Sequence, residues 1–333
     1  LFRPLPGSIL VEFNGQMPRI VKERDLTSVI ELGTTMEKEA IEIAGGSIEL
    51  DALIKAYEKP LDEVFPVYKG KDNFENIDYT KGSKITRKVK IAKPKVLIPI
   101  FTGSHGEYTM EECFKEAGAN VETLVFKTLS LNDLETSYRE LAKKIKECQI
   151  LGLPNGSPLG DEPEAGGKLL RLIFNNPYVR EALDNHLNNE DGLILGIGAG
   201  FTALIKLGLI SPSTYITANE SGEFISTMVD VRVSSNLSPW FNDMKVGEVY
   251  SVPLATKEGK IILVNSMDNG QIASQFDGEN PTGSAFGIES MTSLDGRVLG
   301  TITSIDRVGE GLYKNTKSLG KHKIFQSGIK YFD

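Results

Sequence analysis

The stretch LILGIGAGFTALIKLGL, Leu193 to Leu209, decides how the rest of the chain is read. Leu193–Ile197 is an unbroken apolar run, the pattern of a strand covered on both faces, and Phe201–Leu207 reads as the helix that follows it. Between them lies the cluster Gly196-Ile197-Gly198-Ala199-Gly200. Three readings of it compete. A dinucleotide fingerprint needs G-x-G-x-x-G after an early strand and an acidic residue about 20 positions on. Here the spacing is G-x-G-x-G, the strand is the fourth of its series, and Glu220 falls in a loop pattern. On a second reading the glycines only let helix and sheet pack closely. The third is a nucleophile elbow, a sharp strand–turn–helix that holds a reactive side chain at the strand's end.

The pattern repeats upstream. Val96–Phe101, Val121–Phe126 and Ile150–Leu153 read as strands. Met110–Ala117, Leu134–Glu147 and Leu169–Leu187 read as helices, the last with a break at Pro177. Alternating strands and helices imply a parallel, doubly wound α/β sheet, with its site beyond the carboxyl ends of the strands. The loops after Phe101, Leu153 and Ile197 therefore matter most. Beyond Ser211 the helices nearly stop. Met228–Val233, Val249–Pro253, Ile261–Val264, Gln271–Phe276, Ala285–Ile288 and Val298–Thr301 read as short strands of an antiparallel extension, closed by Lys323–Tyr331.

Residues 1–68 read as a small α+β segment without a core of its own: a strand at Ser8–Phe13, a hairpin at Ala40–Leu50 and a helix from Asp51 toward Val64. Residues 69–94 are polar and lysine-rich, a linker or an extended wrap, and 95–333 form the α/β domain. The start at Leu1 suggests a processed or recombinant product, or a fragment of a longer polypeptide.

Composition narrows the function. A net charge of -8 over 333 residues argues against a nucleic-acid partner. No apolar run reaches the roughly 18 residues of a membrane helix. Cys113 and Cys148 provide neither a disulfide framework nor metal spacing, so a reduced, cytoplasmic setting fits. Both thiols read as packed and inert, His105 as a solvated loop residue at the site's mouth, and His186 and His322 as surface residues.

The segment Leu195–Leu209 resembles the elbow of the glutamine amidotransferase domain in the large single-chain phosphoribosylformylglycinamidine synthases. The resemblance extends over most of the chain. It includes VLIPIFTGSHGE (Val96–Glu107), LPNGSPLGDEP (Leu153–Pro163), VRVSSNLSPW (Val231–Trp240), NGQIASQ (Asn269–Gln275), SLDGRVLG (Ser293–Gly300) and IFQSGIKYF (Ile324–Phe332). IELDALIKAYEKPLDEVFP (Ile48–Pro66) looks like the tail of the synthetase half, which resembles aminoimidazole ribonucleotide synthase. The resemblance implies a flavodoxin-like class I amidotransferase domain, with residues 1–68 as the synthetase tail.

It also implies what is missing. The family's cysteine nucleophile falls at Gly198, and its usual asparagine at Ala199, followed by Gly200. The catalytic histidine falls at Ser304 and the orienting carboxylate at Asp306. In the oxyanion loop Asn155, Ser157 and Pro158 replace Gly, Phe and Ser, while Gly156 remains. Thr256 replaces a further histidine, and Glu258 remains. A class I glutaminase needs a thiolate, a base within reach of it and a carboxylate to orient the base. Loss of one triad member in a serine hydrolase costs roughly 10⁴–10⁶ in turnover. Here nucleophile and base are both gone. The implied function is a catalytically dead amidotransferase portion with no cofactor of its own. The implied partner is a synthetase half, in the same or a cleaved polypeptide, that uses ATP and Mg²⁺ to make an amidine in purine biosynthesis with free ammonia. The alternative is a non-catalytic ligand-binding or scaffold module, in which Asn155, Gly156, Gly198 and Glu258 line a remnant pocket.

Overall fold

The computed structural model describes residues 6–15, 30–43, 45–58, 74–82, 90–157, 165–264, 269–309, 311–313 and 323–333. Two compact units emerge, Leu1–Val67 and Tyr68–Asp333.

In the smaller unit, β1 (Ala40–Ile43) pairs antiparallel with β2 (Gly46–Glu49), and α1 (Leu50–Glu58) follows directly. Gly45, at φ +86°, makes the reversal in a region closed to most side chains. Ile41 lies opposite Ile48, so both share one exposed face of the hairpin. The strand expected at Ser8–Phe13 is not there: among the described residues this stretch joins no ladder, and Ile9 and Leu10 are exposed. A β-branched run specifies a strand only when another strand takes up its backbone groups. The expected helix is described only as far as Glu58; the stretch to Val64 lies outside the described residues.

The larger unit is built on a nine-stranded mixed sheet. Its elements are β3 (Lys95–Ile100), α2 (Glu107–Glu116), β4 (Asn120–Val125), α3 (Leu131–Glu147), β5 (Ile150–Leu153), α4 (Ala165–Phe174), α5 (Pro177–Asn188), β6 (Leu193–Ile197) and α6 (Ala199–Lys206), then β7 (Thr214–Thr217), β8 (Ile225–Val233), β9 (Val249–Thr256), β10 (Lys260–Leu263), β11 (Ile272–Phe276), β12 (Ile288–Thr292), β13 (Val298–Thr301) and α7 (Ile324–Lys330). Local chemistry places the helix starts. Ser130 caps α3 by accepting from Asp133 N at 3.1 Å. Asn176 caps α5 by accepting from Tyr178 N at 3.1 Å, with Pro177 in the first turn, where its missing N–H costs nothing. The break expected at Pro177 is therefore two separate helices.

The sheet order is β4-β3-β5-β6-β13-β12-β11-β8-β9. The first five strands are parallel, in the 2-1-3-4-5 order of flavodoxin-like sheets. The remaining pairings are antiparallel. This corrects one assignment: Val298–Thr301 joins the parallel half beside β6, not the antiparallel extension. The strand expected at Ala285–Ile288 is also displaced. Residues 285–287 form a 3₁₀ turn with Phe286 at φ +53°, and the strand begins at Ile288. β7, which pairs with β10 outside the main sheet, is not anticipated by the sequence pattern.

Residues 74–82 run as an extended wrap along the antiparallel half. Ile77 N donates to Gln275 Oε1 at 2.8 Å, Gly82 N donates to Asn236 Oδ1 at 3.0 Å, and Tyr79 bridges to Ser235. Among the described residues no helix is long and apolar enough to cross a membrane.

Candidate functional site

The carboxyl ends of β3, β5, β6 and β13 converge, and their loops make the site. β6 passes into α6 through Gly198, whose φ +54° and ψ −110° lie in a region side chains avoid. Gly198 N donates to Thr301 O at 2.9 Å, and Gly198 O accepts from Thr202 N at 3.0 Å, so the turn is held from both sides. The flanking glycines serve packing. A Cβ on Gly196 would lie 2.6 Å from Leu204 Cδ1, and one on Gly200 would lie 2.8 Å from Leu153 Cβ. The elbow and packing readings thus describe different glycines of the one cluster. Glu220, the acidic residue a dinucleotide fingerprint would need, forms an ion pair with Lys260.

The loop after β5 meets this elbow through Asn155. Its Oδ1 accepts from two backbone N–H groups, Gly156 N at 2.8 Å and Ala199 N at 3.2 Å. Its backbone O accepts from His105 N at 3.1 Å and Gly106 N at 3.2 Å, in the loop after β3. A bridge between Ser104 and Gly156 ties the same two loops. A Cβ on Gly198 would lie 2.5 Å from Asn155 Cγ, so the Asn155 side chain fills the space that any side chain at position 198 would enter.

The turn after β13 holds Ser304 and Asp306. Ser304 N donates to Pro253 O at 2.9 Å, but its buried Oγ has no hydrogen-bond partner among the described residues. Asp306 is buried; Oδ2 accepts from Thr109 Oγ1, while Oδ1 has no partner among the described residues. Burial pushes the Asp306 carboxyl above the ordinary aspartate range, against the Thr109 hydrogen bond and the Arg307 charge that favour ionisation. Cys113 Sγ donates to Asp306 O at 3.4 Å. Arg307 Nη2 donates to His105 Nδ1 at 2.9 Å and to His105 O at 3.1 Å, linking this turn to the loop after β3.

Asn155, Gly156, Gly198, Ala199 and Gly200 are thus gathered at one point. Thr256 and Glu258 hydrogen-bond into another group, centred on Asn219. Glu258 N donates to Thr256 Oγ1 at 3.1 Å, Asn219 Nδ2 donates to Thr256 O at 2.8 Å, and Gly259 N donates to Asn219 Oδ1 at 2.9 Å. Sequence reasoning missed Asn219 and Thr109, whose contacts with Thr256 and Asp306 span 37 and 197 residues with no local motif. It also misplaced His186, which is buried, with Nε2 against Leu193 O at 3.2 Å. Cys113 is half-buried rather than enclosed, whereas burial pushes the Cys148 thiol up to about 12. His322 lies outside the described residues. Among the described residues no group of three or more His, Cys, Asp or Glu is placed to hold a metal ion.

Residues 93–332 match the model of the CobB/CobQ-like glutamine amidotransferase domain. The chain is 28% identical over 214 residues to the phosphoribosylformylglycinamidine synthase subunit PurQ of Thermotoga maritima, a match covering 64% of this chain and 93% of that one. It is 32% identical over 201 residues to PurQ of Alkaliphilus metalliredigens, covering 59% and 83%. In fold it is similar to a chain in the structure of PurLQS from Thermotoga maritima, with TM-score 0.52, 22% identity, and 72% of this chain and 96% of that one covered.

Proposed function

Because the chain belongs to the CobB/CobQ-like glutamine amidotransferase domain family, and is homologous to PurQ of phosphoribosylformylglycinamidine synthase, we propose that it is a PurQ-like domain that no longer hydrolyses glutamine. The observation that carries this reading is Gly198. It occupies the elbow, where a glutaminase of this class holds its thiol, and it offers no atom beyond Cα. Ser304 stands where the base is expected. A serine hydroxyl cannot take and return a proton near neutral pH as an imidazole does. Asp306 then has no imidazole to orient, and its orphaned Oδ1 is consistent with that loss.

On this reading the domain serves a synthetase half of the single-chain type, cytoplasmic, in which ATP and Mg²⁺ drive amidine formation in purine biosynthesis with free ammonia. Residues 1–68 are the tail of that half, residues 69–94 connect it, and residues 95–333 are the amidotransferase-like domain. This chain by itself catalyses nothing. The test is amidine synthesis by the full assembly, with ATP turnover followed in parallel. We expect activity with ammonium chloride and none with glutamine. Turnover of glutamine would overturn the reading.

A second reading, a ligand-binding or scaffold module without ammonia chemistry in its assembly, is favoured by the Asn155 side chain standing in the space above Gly198. Inactivity with both nitrogen donors would select it.

A further inference from the structure

We infer that the amide-binding hole of this domain is intact and is occupied by the chain's own Asn155 carboxamide, which takes the places of substrate amide and nucleophile together. Two backbone N–H groups from different elements converge on one oxygen: Gly156 N from the loop after β5, and Ala199 N from the first turn of α6. Convergent backbone donors of this kind stabilise a carbonyl oxygen or an oxyanion. The helix-terminal N–H has no partner within its own helix and must find one elsewhere. The oxygen that supplies it is a primary carboxamide, the same group a glutamine side chain would present.

Asn155 is held at its other end too, because His105 N and Gly106 N both donate to its backbone oxygen. It is therefore a fixed occupant. The geometry makes residue 198 and the Asn155 side chain mutually exclusive: a Cβ at 198 would lie 2.5 Å from Asn155 Cγ and 3.0 Å from its Nδ2. Gly198 and Asn155 form a matched pair, and a nucleophile restored at 198 alone would face a filled hole. Naming the hole as one for an amide rests on the proposed function; the occlusion itself is geometric.

The test is thermal unfolding of the full chain carrying single and paired substitutions. Asn155→Leu keeps the bulk and removes the acceptor; it should lower Tm by roughly 3–8 °C. Asn155→Asp keeps the acceptor and adds a charge the two donors favour, so it should match the wild type near pH 7. The donors depress that carboxyl, so the benefit is present above the ordinary aspartate pKa of about 3.9 and disappears as pH falls through the lower folded value. Gly198→Ala should lower Tm through backbone strain and through the clash with Asn155, and combining it with Asn155→Gly should cost clearly less than the sum of the two single losses. Additive losses, or Leu serving as well as Asn at 155, would overturn the inference. If Gly198→Ala does not fold, the Asp and Leu variants decide alone. None of these readouts uses glutamine or ammonia, so failure here and failure of the proposed function are separately visible.

Discussion

The interior of the sheet and the turn just beyond it each bury one carboxylate, and they keep it in opposite ways. Glu289, on β12, is fully buried. Its Oε1 accepts from Thr301 Oγ1, from Thr303 N at 3.0 Å and from Thr303 Oγ1 at 2.7 Å, and its Oε2 accepts from Ser274 Oγ at 2.6 Å. Asp306, five residues past Thr301, is nearly as buried but takes one hydroxyl and leaves Oδ1 without a partner among the described residues. A charge removed from water is tolerated when donors replace the water and is costly when they do not. Glu289 thus reads as a carboxylate the fold is built around. Asp306 reads as one the fold leaves half-satisfied, beside Ser304, whose own Oγ is also without a partner among the described residues.

That contrast can be broken by substitution. Glu289→Ala strips the acceptor from four donors in the sheet interior and should cost about 3–5 kcal/mol in chemical denaturation. A loss below about 1 kcal/mol would show that the network is incidental. Asp306→Asn should act in the other direction. Burial raises the Asp306 pKa, so its contribution to stability is present below the ordinary value of about 3.9 and lost as pH rises through the raised one. Asparagine still accepts from Thr109 and cannot ionise. The variant should be more stable than the wild type near pH 7 and show a flatter stability profile above pH 4; an unchanged slope would mean the wild-type carboxyl is solvated. The smallest effect belongs to Ser304→Ala, which removes a desolvated, unpaired hydroxyl and should gain about 0.5 kcal/mol. A clear loss would reveal a partner for Ser304.

Much of the parallel half was legible from residues alone. Ile150–Leu153 and Leu193–Ile197 have the same bounds in the sequence reading and in the structure, because strands buried on both faces are written as unbroken apolar runs between turn residues. The elbow was legible for a similar reason, since its glycines act within a few residues of one another. The Ser8–Phe13 strand failed because its composition fits a strand but the described structure has no ladder there to receive it. The 3₁₀ turn at 285–287 failed because Phe286 adopts a positive φ that no pattern of apolar residues announces.

The candidate site divides along the same line. That Gly198, Ser304 and Asp306 stand where thiol, base and carboxylate are implied follows from the order of residues along the chain. That Asn155 Oδ1 reaches Ala199 N, 44 residues away, does not. Nor does the burial of His186, or the surrounding of Glu289 by hydroxyls from β11, β13 and the loop beyond.

By itself, the sequence determined the alternation of strands and helices, the sharp turn at Gly198 and the lack of any side chain there, because periodicity, backbone freedom and side-chain chemistry are properties of neighbouring residues. Only the tertiary structure decided that β13 lies parallel to β6, that Glu289 is satisfied while Asp306 is not, and that an asparagine carboxamide fills the hole above the elbow. Each of those depends on which groups meet across long loops. Their partners are chosen when backbone donors and buried acceptors must be matched in three dimensions.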